Sequence, residues 1–353
     1  MASALTVVMA LVALACHAAG RTDSEQAGQA LVNRYKSMIE NDRVQGHLCE
    51  TMMAWNVCNY AAVHFWDGTL FSELRTLDTT GLFAALDHQV AVGGPRVFRV
   101  LLKTTQVHAF FRAAWPVLLK HTVMSYVVVT CCSDETLEST ASLLAALDSP
   151  QLVGWFAQNA AVVHPKLVPV PIGLNFHALA KRPALNTPET QNTLLLGLRD
   201  RALAESRQLT VLVSFNAHPE LRRGVEVDLR RSLPGRAVRR LSASSRQVVW
   251  RRYLSTEFVA SPPGNGKDCH RTWEALALGA IPIVLRDPPF DRVYTGFPVA
   301  LVNSYRNITI DQLEAWRTEL RPAMDALLRS PQRLTSRYWM ERIVAAGEGR
   351  LTA

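Results

Sequence analysis

Between Phe258 and Val284 the chain reads FVASPPGNGKDCHRTWEALALGAIPIV, and these 27 residues leave little freedom in what they fold into. A short β-type run from Phe258 to Ser261 is stopped by Pro262 and Pro263, which remove backbone donors and fix φ. Gly264 and Gly266 then permit positive φ and a close approach of backbone to a ligand. Asp268 is placed to cap a helix by accepting from first-turn amides, and Gly279 is placed as the left-handed stop after Leu278. Trp273, Leu276, Ala277 and Ala280 recur at i, i+3, i+4 and i+7, an apolar face that lies on a sheet. Ile281 to Val284 is the next strand, so the stretch predicts strand, loop, helix and strand in one parallel unit.

His270, Arg271, Glu274 and Leu278 share another helix face, so an imidazole, a guanidinium and a carboxylate emerge near the helix start. Free amides and the macrodipole make such a start an anion site, and Arg271 adds a bidentate donor for phosphate oxygens. Glu274, one turn deeper, is placed to accept from vicinal sugar hydroxyls, so diphosphate plus ribose is the ligand that fits. The candidate binding set is Gly264, Asn265, Gly266, Lys267, His270, Arg271 and Glu274. The competing reading is a surface Arg271–Glu274 ion pair on an ordinary helix, with the glycines merely forming a turn.

At 353 residues and 48% hydrophobic content the chain has material for two cores. A second run of β/α alternation, from Leu209 onward, follows a polar, proline-bearing stretch at Ala178 to Ser206. The expected organisation is a leader at 1–20, a first Rossmann-like domain at 21–200 facing the acceptor, and a second at 201–353 binding the nucleotide. Each is expected to be a doubly wound parallel sheet. The net charge of +8 favours anionic partners, yet the arginines between Arg222 and Arg252 are scattered over three expected elements and lack interleaved aromatics in a strand or loop, which argues for solvated surface and against nucleic-acid binding. The apolar run from Ala4 to Leu14, followed by Ala18, Ala19 and Gly20, reads as a cleaved signal peptide or, in the alternative, an uncleaved anchor. Either places the remainder in the secretory lumen, where Cys49 and Cys58 are the expected local bridge and Asn307-Ile308-Thr309 is a glycosylation acceptor. No cysteine or histidine pair stands at zinc-ligand spacing, and no metal or resident cofactor is expected.

Ligand sites in parallel sheets lie past the carboxyl ends of strands. Ser125 to Thr130 is a continuous apolar strand, and Asp134 and Glu135 follow it at once. They are catalytic candidates, or equally a helix cap and first-turn acid. Gln151 to Ala161 reads as a short helix, Leu167 to Leu174 as extended, and His177 falls past its end as a third candidate.

With those residues in view, the C-terminal half resembles the exostosin-like glycosyltransferases, the family 47 type. The pieces are Ser261-Pro262, Gly264, Arg271, Glu274-Ala275-Leu276 and Gly279-Ala280-Ile281-Pro282-Ile283, and the resemblance extends from about Ser125 to Trp316. It implies a GT-B fold of two Rossmann-like domains facing a cleft, with a nucleotide sugar as co-substrate, Arg271 on its diphosphate and Glu274 on its hydroxyls. It further implies an inverting, metal-independent transfer to a glycan or glycoprotein hydroxyl in the Golgi or endoplasmic reticulum, with the base in the first domain: Asp134, or else Glu135 or His177. A non-catalytic secreted protein on a relic of the same fold, binding carbohydrate or nucleotide, is the alternative. Pro263 stands where a basic residue often precedes the glycine, and Asp287-Pro288-Pro289 has no counterpart in the pattern.

Overall fold

The computed structural model describes residues 64–65, 86–87, 90–91, 96–131, 133–174, 188–215, 220–242 and 244–350. The expected leader, the expected Cys49–Cys58 bridge and His177 lie outside them. The first sheet contains β1 (His64–Phe65), β2 (Val97–Lys103), β3 (Ser125–Cys131), β4 (Leu152–Ala157) and β5 (Leu167–Pro169), all parallel and side by side in chain order. Helices α1 (Val107–Ala113) and α2 (Trp115–Leu118) join β2 to β3, and α3 (Ala141–Asp148) joins β3 to β4. The two helices part at Ala114, with Pro116 in the first turn of α2.

Successive side chains in these strands point to opposite faces. Val100, Leu102, Tyr126, Val128 and Trp155 pack on one side with Phe110, Leu118 and Leu143 of the crossover helices. Leu101, Val127, Val129 and Phe156 face the other way, into the core that runs on through the second half of the chain. The stretch expected to be helical from Gln151 to Ala161 is therefore strand β4. A short apolar run has no period of its own, and burial of Trp155 and Phe156 on opposite faces decides for strand.

After α4 (Pro188–Arg199), the second sheet contains β6 (Gln208–Val213), β7 (Val238–Arg240), β8 (Thr256–Ala260), β9 (Ile281–Leu285) and β10 (Ala300–Val302). Their order is β10-β9-β8-β6-β7, again wholly parallel. The chain moves one way from β6 to β7, then reverses to β8, so the gap between β6 and β8 is a topological switch point. Helices α5 (Glu220–Ser232), α6 (Arg246–Leu254), α7 (His270–Ala277) and α8 (Ile310–Arg329) complete this half. Gly279 adopts φ +79° after α7, as its position predicted, and a Cβ there would stand 2.6 Å from Arg207 Nη2.

The last helix, α9 (Ser336–Gly347), crosses back to the first sheet. Its Trp339, Ile343 and Ala346 cover the face left bare by α1 to α3, and Arg99 Nη2 on β2 donates to Val344 O at 3.3 Å. The boundary expected at 200/201 is thus crossed by the end of the chain. Two parallel α/β sheets joined by a returning terminal helix make the two-domain layout of a GT-B fold; the double winding expected of each sheet is seen in the second, whereas the described strands of the first run in chain order without reversal.

Candidate active site at the switch point

Ligands of open parallel sheets sit outside the carboxyl ends of the strands where their order reverses. Here those ends are Ser214–Phe215 after β6 and Ser261–Gly266 after β8, the second being the proline and glycine loop. Arg271, in the first turn of α7, lays its guanidinium over the Phe215 ring at 5.0 Å from the centroid. Its Nη1 lies 3.4 Å from both Pro262 O and Cys269 Sγ. Burial works against its charge, but Cys269, Tyr253, Glu274 and Tyr305 outweigh that and keep it firmly protonated. Arg222, on α5, donates through Nε to Pro263 O at 2.9 Å, and a Cβ on Gly264 would stand 2.8 Å from its Nη2. Burial lowers the pKa of Arg222 and the Arg271 charge lowers it further. Two guanidinium groups therefore reach the same loop, through Pro262 O and Pro263 O.

The surface-pair alternative fails on this geometry. Glu274 is buried, and the cation within ion-pair distance is Arg246 of α6, 3.6 Å away. Arg246 also reaches Gln191 of α4 at 3.4 Å. Leu278, expected on the polar face, is fully buried. Lys267 bonds Asp287 at 2.5 Å, which gives the unmatched Asp287-Pro288-Pro289 turn a physical purpose: it supplies the counter-ion that fixes the end of the loop.

The same loop leans on the first domain. Asn265 Nδ2 donates to Asp134 Oδ2 at 3.3 Å. A Cβ on Gly266 would stand 2.9 Å from the Asp134 carbonyl oxygen, so glycine is needed here for close approach rather than for a positive φ. His270 Nδ1 donates to Gly173 O at 2.7 Å. Arg292, past β9, donates to Val162 O and Leu167 O at 3.4 and 3.1 Å. Asp134 does not cap a helix: α3 begins at Ala141 with Thr140 as its cap, and Ser133 Oγ instead accepts the Glu135 amide in a tight turn. Asp134 and Glu135 are both exposed, but the loop reaches Asp134.

Asp268 corrects the sequence reading most. Cys269 occupies the cap position of α7, and Asp268 is buried between the domains. Its carboxylate accepts from Ile172 N at 2.7 Å, Cys269 N at 2.8 Å and Trp273 Nε1 at 2.9 Å. Burial pushes its pKa up to about 7 against the pull of these donors and of Tyr294. Because the folded value exceeds the ordinary 3.8, the folded state holds a proton that the unfolded state releases between those values. The stability contributed by this group is therefore greatest below pH 3.8, declines toward pH 7 and is level above it. Melting curves from pH 4.5 to 8 should show that slope in the wild type and lose it in Asp268→Asn; parallel profiles for the two would refute the assignment.

Arg222, Arg246 and Asp268 are the site residues that sequence reasoning missed or misplaced. Among the described residues no three His, Cys, Asp or Glu side chains gather where a metal ion would be held. No protein-family model matches the chain, and no curated protein matches it. Among solved structures it is similar to the UDP-forming α,α-trehalose-phosphate synthase of Burkholderia vietnamiensis, with 12% identity, 78% of each chain covered and a TM-score of 0.39. It is similar also to the α,α-trehalose 6-phosphate synthase of Burkholderia multivorans, with 13% identity, 78% of each chain covered and a TM-score of 0.39. The two-sheet architecture stands on the strand order itself.

Proposed function

We propose that the protein is a glycosyltransferase of the exostosin-like type, moving a sugar from a nucleotide-sugar donor to a hydroxyl of a glycan or glycoprotein. The observation that carries this is the meeting of Arg271 and Arg222 at the glycine loop, beyond the switch-point strands and beside the start of α7. In this reading the two guanidinium groups hold the diphosphate, and Glu274, kept in place by Arg246, accepts from the ribose hydroxyls. The acceptor oxygen attacks the anomeric carbon from the first-domain side while the bond from that carbon to the diphosphate breaks. The electron pair leaves on the diphosphate, where the arginines neutralise it, and the hydroxyl proton passes to Asp134. Attack opposite the leaving group inverts the anomeric centre. The reading extends to the secretory lumen, in keeping with the leader expected at 1–20 and with the Asn307 acceptor position, which is exposed.

A thermal-shift panel of nucleoside mono- and diphosphates and nucleotide sugars tests this and names the donor. One base is expected to raise the melting temperature by several degrees at millimolar ligand, the diphosphate more than the monophosphate. A flat response across the panel rejects the transferase reading. Binding with no transfer to any glycan acceptor supports the relic-fold alternative instead.

A further inference from the structure

Among the described residues Asn159 is the one non-glycine residue with a left-handed backbone, φ +52°, and it is fully buried. It lies just past β4, at the carboxyl edge of the first sheet, and both ends of its side-chain amide are in use. Nδ2 donates to Ser133 O at 3.3 Å, in the turn that carries Asp134. Oδ1 accepts the Asp268 amide at 2.9 Å, in the glycine loop of the second domain. Its own carbonyl takes the Leu137 amide at 3.0 Å. A Cβ on Gly266 would stand 2.8 Å from Asn159 Nδ2, and Asn265 closes the circuit by donating to Asp134.

Glycine adopts a left-handed backbone at lower cost than asparagine, so a turn alone does not call for this residue. What asparagine adds is one donor and one acceptor, and here they point at different domains. Left-handed residues other than glycine persist where their surroundings over-determine them, typically at working sites. We propose that Asn159 is a positioning residue for glycosyl transfer, fixing the separation between the Asp134 turn and the donor loop by holding the Ser133 carbonyl and the Asp268 amide together. This rests on the transferase reading above. Asn159 touches neither donor nor acceptor; it acts through the two backbones it joins.

Asn159→Gly keeps the backbone conformation and removes both bonds. Steady-state kinetics should show kcat lowered by about 100-fold, the cost of misplacing a reacting group by an ångström, with the donor KM held within about threefold. Asn159→Asp keeps the acceptor for Asp268 and loses the donor to Ser133, so it should fall between the two. A kcat unchanged in Asn159→Gly overturns the proposal. Peptide-resolved hydrogen exchange on the full chain reads the coupling without activity: residues 133–137 and 264–270 should both exchange faster in Asn159→Gly. Faster exchange confined to 133–137 would make Asn159 a turn former only and also overturns it. A wild type inactive with every donor would fail the transferase reading, and the exchange result would still decide whether Asn159 joins the domains.

Discussion

Arg271→Met should lower nucleoside diphosphate affinity by about 100-fold or more while leaving the fold intact. Hydrogen bonds to charged groups contribute about 1.5–3 kcal/mol each, and every 1.4 kcal/mol is about a factor of ten in affinity. Methionine keeps much of the apolar stem that lies against Phe215 and removes only the cation, so the loss reports on charge rather than packing. Arg271→Lys should recover little, since a point charge cannot replace a planar donor stacked on a ring and forked toward two oxygens. Arg222→Met should cost less, about tenfold, because Arg222 approaches from the flank of the loop and its Nε is already used on Pro263 O. Isothermal titration with the diphosphate chosen by the thermal-shift panel measures all three. An Arg271→Met affinity within threefold of wild type would remove the arginine pair from the donor site and the functional proposal with it.

Much of this arrangement was legible in local chemistry. Proline and glycine punctuation marks the end of β8, the loop and the stop of α7 at Gly279, because those residues act through their own backbones. The apolar stripe of α7 announces its buried face for the same reason: Trp273, Leu276 and Ala277 need only helical spacing to align. What could not be read depends on partners distant in the chain. Asp268 has the sequence environment of a cap, yet the amide of Ile172 and the Trp273 indole draw it into the interface. Arg222 lies among a run of arginines that are mostly exposed, and only its reach to Pro263 O, in the loop after β8, separates it from them. Strand β4 was hidden by its shortness, and α9 by a far less regular pattern than α7 presents. Thr335 as its cap and Trp339, Ile343 and Ala346 at i, i+4 and i+7 were the available signals.

Asp134→Asn should reduce kcat by about 100- to 10,000-fold, the range a positioned general base contributes, with the donor KM within about threefold. The substitution is isosteric, and the amide oxygen of the new side chain still accepts from Asn265 Nδ2, so the contact that ties the turn to the loop survives. Only the capacity to take the acceptor proton is lost. Asp134 is exposed in the turn after β3 and holds no element of the core together, so melting temperature should stay within a degree or two of wild type. That separates it from Gly266→Ala, in which a methyl group forced toward the Asp134 carbonyl moves the whole loop and disturbs binding and turnover together. Glu135 gives the internal control: it is the neighbouring exposed carboxylate, and no side-chain contact brings it to the loop. If Glu135→Gln abolished turnover and Asp134→Asn did not, the proton would travel by the neighbouring carboxylate, and the loop contact would serve only to position the turn. If both variants kept full turnover, the base would lie outside this turn altogether, and His177 would become the residue to replace next.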